Sequence, residues 1–168
     1  SEETIFVAVG TSLATIVIAS ARAAITHHKL ASVNVVFLKD WGPWILIGSS
    51  VGVGAVTTVS GSNLAVIFAS GVGIYSMYFL FPTALNKFTL YDLPKGVARA
   101  CLGTSIGAFS VLLGIGGGTP IVITMTLCRR PIVEAVGTAA CVGAIIGLVG
   151  TLGFVHVSYT HLTLPTNL

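Results

Sequence analysis

The sequence predicts an all-α polytopic membrane protein with about four full transmembrane helices and one broken or re-entrant helix pair. Of its 168 residues, 54% are hydrophobic and 8% are charged, and the mean hydropathy is +0.98. Soluble domains carry roughly 25% charged residues, so a soluble fold is excluded and the lipid bilayer is an expected partner. The net charge of +3 is small and gives no indication of nucleic-acid binding.

The first three predicted spans are apolar runs close to the roughly 20 residues with which a helix crosses the hydrocarbon core. They run from Thr4 to Ala21, from Trp44 to Val59 and from Leu64 to Phe81. The connection after the first span contains an apolar piece, Leu30 to Leu38, which is expected to lie along the membrane interface. Trp41 and Trp44 open the second span, where aromatic belts occur.

The next apolar stretch, residues 97–128, is interrupted by Gly-Ile-Gly-Gly-Gly-Thr-Pro at positions 114–120. Its 32 residues are too few for two full passes, which need about 40, and too many for one. A broken or re-entrant helix pair fits, because non-helical backbone at membrane depth is tolerated only inside protein or beside a water-filled cavity. Ile132 to Val155 form the last predicted span.

The glycine-rich segment is also the predicted anion site. Thr119 has the chemistry of a helix N-cap, and Pro120 that of a first helical residue. A helix that begins there directs unbonded backbone N–H groups and the positive end of its dipole into the glycine loop. Since no lysine or arginine is available at membrane depth, backbone dipoles are expected to bind the anion.

The basic residues predict the orientation of the chain. If the chain enters and leaves the broken helix pair on the same side of the membrane, all eight basic residues lie in or beside connections on that side. They are Arg22, Lys29, Lys39, Lys87, Lys95, Arg99, Arg129 and Arg130. The opposite turn, Ser60 to Asn63, carries no charge, so the positive-inside rule places the basic face in the cytoplasm. Two short spans would give the same distribution, and only the length of the stretch favours re-entry.

Two similar segments predict a two-repeat architecture. Val7 to Ser12 resembles Glu134 to Ala139, and many secondary transporters are built from two such units around a central site. Residues 1–96 are expected to form part of a first repeat with three spans, and residues 97–156 part of a second. Residues 157–168 resemble the translation of a sequencing adaptor and are expected to be a non-native tail; an ordinary polar tail is the alternative.

These motifs resemble the sulfite exporter TauE/SafE family. Gly114 to Pro120, followed by Ala135 to Thr138, looks like the second repeat of that family, and Ala8 to Leu13 with Ser20 to Ala23 is similar to the first. The resemblance implies a bacterial inner-membrane permease for sulfite, sulfonates or related small organic anions. The first glycine-rich loop and the spans expected after Val155 are not in this sequence. The resemblance therefore implies a truncated permease that is not expected to transport by itself.

The candidate substrate-binding residues are backbone and hydroxyl donors of the two repeats. A sulfite or sulfonate group needs several donors and little fixed charge, because a cation at membrane depth is costly. The predicted set is Gly114, Gly116, Gly117, Gly118, Thr119, Thr138, Thr11 and Ser12.

No catalytic residue, cofactor or metal is predicted, and the chain is not expected to be an enzyme. The three cysteines lie in apolar sequence without ligand spacing and are interpreted as core residues. Glu134 is expected to complement the dipole of the last helix and to pair with Arg130. A dinucleotide site would need a soluble βαβ unit around the glycines, which the hydropathy excludes.

A second hypothesis is a non-transporting membrane scaffold or assembly subunit, in which the glycines serve helix packing. Three Gly-x-x-x-Gly motifs, beginning at Gly48, Gly103 and Gly143, are predicted packing faces. A homo-oligomer is a further assembly that the sequence allows. The variant Gly117→Leu separates the two, since it is expected to abolish anion transport under the first and assembly under the second.

Overall fold

The computed structural model describes residues 2–56, 58–80 and 92–163. Within these ranges the backbone forms helices and the turns between them, which confirms the all-α prediction. The helices are α1 (Glu2–Lys29), α2 (Val35–Val56), α3 (Gly61–Leu80), α4 (Gly96–Leu113), α5 (Gly118–Leu127) and α6 (Ile132–Thr163). The predictions for Phe81 and Lys87 fall outside the described residues.

Helices α1 and α6 pack antiparallel. Near one end a Cβ atom on Gly137 would lie 3.2 Å from the Cβ atom of His27, and farther along a Cβ atom on Gly150 would lie 2.8 Å from Leu13 Cδ1. Between these points, α6 contacts α1 through Gly143 and Gly147, the glycines of the third predicted motif. This motif is thereby confirmed as a packing face. The two similar segments, residues 7–12 and 134–139, therefore lie on a packed antiparallel helix pair.

Helices α2 and α4 pack parallel through the other two glycine motifs. A Cβ atom on Gly52 would lie 2.8 Å from the carbonyl oxygen of Ala108, and one on Gly48 would collide with the backbone of Thr104. Where both helices begin, Arg99 and Asp40 form an ion pair at 2.9 Å. The two backbones are thus in direct contact, as small residues at a membrane helix interface allow.

The core lies between these two helix pairs and includes the short helix α5. Each of the five helices contributes a side chain that is at most 1% exposed: Leu13, Ile45, Val111, Met125 and Ile146. Helix α3 joins this core where Leu113 fills the space over Gly71, its Cδ2 atom 2.6 Å from where a Cβ atom would be. The core therefore encloses the region in which α4 ends and α5 begins.

Helix α2 begins nine residues before the predicted second span. Asn34 caps it, because its Oδ1 atom accepts the N–H of Phe37 at 2.8 Å. The predicted interfacial segment from Leu30 to Leu38 is therefore wrong: its first half is a turn and its second half is the start of α2. Trp41 is 2% exposed and stacks on Phe37 with ring centroids 4.9 Å apart, so it belongs to the core and not to an aromatic belt.

Two helices in the described part of the chain, Gly96–Leu113 and Ile132–Gly153, are long and apolar enough to cross a membrane by length and composition. Helix α5, with 10 residues, is shorter. The number of about four full spans stays a prediction.

Candidate functional site

The predicted helix break lies between α4 and α5. Helix α4 ends at Gly114, which has a φ angle of +61° and donates its N–H to the carbonyl oxygen of Val111 at 3.1 Å. Gly116 and Gly117 have φ angles of +69° and +73°. Glycine adopts such angles without the steric penalty of a Cβ atom. These three glycines therefore let the chain end one helix and begin another within a single short loop.

Helices α4 and α5 form a hairpin, as the re-entrant prediction requires. Cys128 follows α5 directly, and its Sγ atom donates a weak hydrogen bond to the carbonyl oxygen of Asp92 at 3.7 Å. Asp92 lies just before α4 begins. The chain thus enters and leaves this hairpin at the same face of the molecule, and the two consecutive arginines after Cys128 lie at that face.

Helix α5 begins at Gly118, with Gly117 as its N-cap and no side-chain capping bond. The prediction of Thr119 as N-cap is wrong by two positions, because Gly117 takes the left-handed conformation that ends the loop and Gly118 already continues into the helix. Pro120 is still compatible with the start of α5, because residues in the first helical turn have no intrahelical acceptor and the N–H that proline lacks is not needed there. Among the described residues, the N–H groups of Gly118 and Thr119 have no backbone acceptor, as expected at a helix start.

A cleft of about 390 Å³ lies beside this helix start, between α1, α5 and α6. Its polar lining consists of Gly116, Gly118, Thr119 and Ser20. Its apolar lining consists of Ile16, Ile115, Val122, Val136, Ala139 and Ala140. Gly143 lies between the two parts, and every lining residue is uncharged. The dominant electrostatic feature of the cleft is therefore the positive end of the α5 dipole with its unbonded N–H groups.

Three residues of the predicted set, Gly116, Gly118 and Thr119, line this cleft. Two more residues of the set, Ser12 and Gly114, lie outside the lining. They join α1 to the loop, because Ser12 Oγ on α1 donates a hydrogen bond to the carbonyl oxygen of Gly114 at 3.0 Å. Ser12 thus fixes the position of the loop relative to α1.

Gly117 faces away from the cleft. A Cβ atom on Gly117 would collide with Ile146 and would lie 3.3 Å from Ser110 Oγ. Ser110 is 1% exposed, and its hydroxyl has no hydrogen-bond partner in the described part of the chain. Leaving a buried hydroxyl unpaired costs about 1–3 kcal/mol. Ser110 is not in the predicted set, yet it directs this hydroxyl at the N-cap of α5.

The remaining predicted residues, Thr138 and Thr11, lie outside the cleft lining. Thr138 is fully buried, and its Oγ1 atom accepts the backbone N–H of Asn34 at 2.9 Å. The Asn34 side chain donates to Glu134 Oε1, so α6 holds the α1–α2 turn through two side chains. The expected pair of Glu134 with Arg130 is wrong, because among the described residues the Glu134 carboxylate is engaged by Asn34 instead. Thr11 is exposed on α1.

We expect Asn34→Ala to lower the free energy of unfolding by about 2 kcal/mol, since it removes an N-cap worth about 1 kcal/mol and a hydrogen bond to a carboxylate. Thermal unfolding in detergent measures this change. Asn63→Ala, at an exposed position in the first turn of α3, is the matched control and is expected to unfold close to the unsubstituted protein. Equal losses in the two variants would contradict the role given to Asn34.

Ser20 is a cleft residue outside the predicted set. It lies four residues after Ile16 and eight after Ser12, and residues at this spacing share one face of a helix. Following the face of α1 that carries Ser12 would therefore have identified it. Ser20 and the loop meet at Gly143, where a Cβ atom would lie 3.0 Å from both Ser20 Oγ and the carbonyl oxygen of Gly116.

Comparisons with known proteins gave two matches. The family whose model matches residues 4–167 is described as "Sulfite exporter TauE/SafE". A curated protein of Haemophilus influenzae, named "Probable membrane transporter protein", is 28% identical over 158 residues, which cover 94% of this chain and 60% of that protein. The chain thus spans about 60% of the length of this relative. No solved structure matches the chain.

Proposed function

The chain belongs to the sulfite exporter TauE/SafE family, and on that premise we propose that it acts in a bacterial inner-membrane permease for small anions of the sulfite or sulfonate kind. The binding site in this proposal is the cleft between α1, α5 and α6. The basic connections of the chain face the cytoplasm.

The observation that carries the proposal is the start of α5 on the wall of the cleft. Gly118 and Thr119 both line it, and their N–H groups have no backbone acceptor among the described residues. Unbonded N–H groups at the positive end of a helix dipole form a site for an anion. The Thr119 hydroxyl adds a further donor, because Thr119 lies in the first turn and does not cap the helix.

The absence of charge in the cleft lining favours transport over storage of the anion. A lysine or arginine at membrane depth is costly, and its fixed charge would hold the anion too tightly for release. Backbone dipoles and hydroxyl groups bind more weakly, and a permease must bind and release its substrate in every cycle.

Ser110 lies on the other side of the loop, outside the cleft lining, and bears on the stability of the loop itself. Its buried hydroxyl lies beside the N-cap Gly117 and has no partner among the described residues. Such a group is retained at a cost, and a rearrangement of the loop at the start of α5 would be needed to supply the missing hydrogen bond.

The proposal predicts that sulfite or methanesulfonate raises the unfolding temperature of the purified protein in detergent, because a ligand that binds only the folded state stabilises it by about 2.7 kcal/mol at one hundred times its Kd. Thr119→Val is expected to weaken this protection. Thr124→Val is the matched control on α5: its hydroxyl donates to the carbonyl oxygen of Pro120 at 2.8 Å, and it is outside the cleft lining.

Proteoliposome flux of the same anions through the full-length protein is the second measurement. A protein that shows neither protection nor flux with any anion would overturn the proposal. Equal loss of protection in Thr119→Val and Thr124→Val would remove Thr119 from the site.

A further inference from the structure

We propose that one outward face of α1, formed by Ala8, Thr15 and Ala19, is a helix-binding surface and not a lipid-facing one. Its occupant is an apolar helix hairpin broken at glycine, of the same form as α4 and α5, which the full-length protein supplies from outside these 168 residues. The inference concerns helix packing and does not rest on the proposed anion.

Helices α1 and α6 carry equivalent positions. The segment Ala-Val-Gly-Thr occurs at residues 8–11 of α1 and again at residues 135–138 of α6. Counting on from these two segments, Ala19 on α1 corresponds to Ile146 on α6. The surroundings of the two helices can therefore be compared position by position.

The two helices also contact each other with the same face. Ser20 on α1 lies against Gly143, where a Cβ atom would be 3.0 Å from Ser20 Oγ. The equivalent of Ser20 on α6, Gly147, lies against Val17, where a Cβ atom would be 3.1 Å from Val17 Cγ2. Val17 is next to Ile16, the equivalent of Gly143. An antiparallel pair that meets in this way is related by a local twofold axis, as inverted repeats are, so the outward faces of the two helices are expected to have equivalent neighbours.

These neighbours cover α6 but not α1 in the part of the chain that the structure describes. The three positions on α6 that correspond to the proposed surface are at most 1% exposed: Ala135, Val142 and Ile146. Their three equivalents on α1 are all exposed, although they lie on one face of the helix at spacings of seven and four residues. The proposed surface is therefore the part of α1 for which the expected cover is missing.

The residue types of this surface are those of a helix contact. Alanine and threonine are enriched where membrane helices approach each other closely. Two large apolar residues of α1, Ile18 and Ile25, are also exposed, but they lie about a quarter turn away around the helix. Helix α1 thus has one outward face suited to lipid and, beside it, another suited to a second helix.

The occupant is inferred from what covers the equivalent face of α6. A Cβ atom on Gly117, the N-cap of α5, would collide with Ile146. From this point α5 runs back to Leu127, and a short turn joins it to α6 at Ile132. Helix α5 therefore lies along α6 from the level of Ile146 to that of Ala135.

A second hairpin placed on α1 by the same relation has its glycine loop against Ala19 and its short helix beside Thr15 and Ala8. This hairpin would directly precede α1 in the chain, as α5 precedes α6. The Haemophilus influenzae relative has enough further chain to supply such a hairpin, since the matched residues cover 60% of that protein.

Ala19→Trp in the full-length protein is expected to lower the unfolding temperature in detergent by about 5–10 °C, because the indole would be forced into a packed helix contact. Ala69→Trp is the matched control, since Ala69 is exposed on α3, one turn after the exposed Val66, and it is expected to unfold close to the unsubstituted protein. Equal unfolding temperatures of the two variants would overturn the proposal, because position 19 would then face detergent as position 69 does.

A photo-crosslinking measurement identifies the occupant and does not depend on the folding of Ala19→Trp. Benzoylphenylalanine is placed at Ile18 of the full-length protein, at the edge of the surface, where a large side chain is already present. On irradiation it is expected to attach to an apolar, glycine-containing segment of the same chain outside these 168 residues, which mass spectrometry of the digest identifies. Attachment to lipid or detergent alone, or to a second copy of the chain as a covalent dimer, would contradict the proposed occupant.

Discussion

Gly48→Ala is expected to lower the free energy of unfolding by about 3 kcal/mol or more, the upper range for inserting a group into a packed interior. A Cβ atom at this position would collide with the carbonyl group of Thr104, which is backbone and cannot rotate away. Gly107→Ala is expected to have the same effect from the opposite helix, since its Cβ atom would collide with the carbonyl oxygen of Ile45. Thermal or denaturant unfolding in detergent measures both.

The control for this prediction lies on the same helix. Gly54 is exposed and has nothing within 4 Å of an added Cβ atom, so Gly54→Ala is expected to change the free energy by less than about 1 kcal/mol, toward greater stability, because alanine is the better helix residue. If Gly48→Ala and Gly54→Ala unfold at the same temperature, α2 and α4 are not in backbone contact as described.

Gly118→Leu is expected to weaken anion binding at least tenfold, about 1.4 kcal/mol, and to reduce transport accordingly, while the protein remains folded. Gly118 lines the cleft, and an added Cβ atom would meet nothing within 4 Å. Its φ angle is not in the left-handed region, so a side chain is tolerated and projects into the space where the head group is proposed to bind.

Gly117→Leu gives the contrast that makes this prediction specific. Gly117 has a φ angle of +73° and a Cβ atom there would collide with Ile146, so the variant is expected to lose stability whether or not an anion binds. It therefore does not separate a permease from a scaffold, whereas Gly118→Leu does. A Gly118→Leu protein that is stable and still binds and transports anions as the unsubstituted protein does would remove the start of α5 from the binding site.

The sequence was sufficient to predict the helix break and the helix contacts, because both depend on residue types with few physical uses. Consecutive glycines followed by proline end and restart a helix. Glycines spaced by four on an apolar helix indicate a close backbone approach, and the motifs at 48–52 and 103–107 are packing faces as predicted, although only the structure shows that they pack against each other.

Other features were not predictable because they depend on three-dimensional neighbours. The start of α2 is set by Asn34, whose backbone and side chain are held by Thr138 and Glu134, about one hundred residues away in sequence. Thr138 was assigned to the site from its motif, and only the fold shows that its hydroxyl holds this turn. Ser110 is one serine among several in apolar sequence, and nothing local marks it as facing the loop.

The length of α5 has a consequence for how a substrate would cross. Its 10 residues correspond to about 15 Å, half of the roughly 30 Å thickness of the hydrocarbon layer. A molecule held at the first turn of α5 would therefore sit near the bilayer midplane, with similar barriers toward the two compartments. Exposure could then alternate between them through movement of the surrounding helices, without displacement of the cargo.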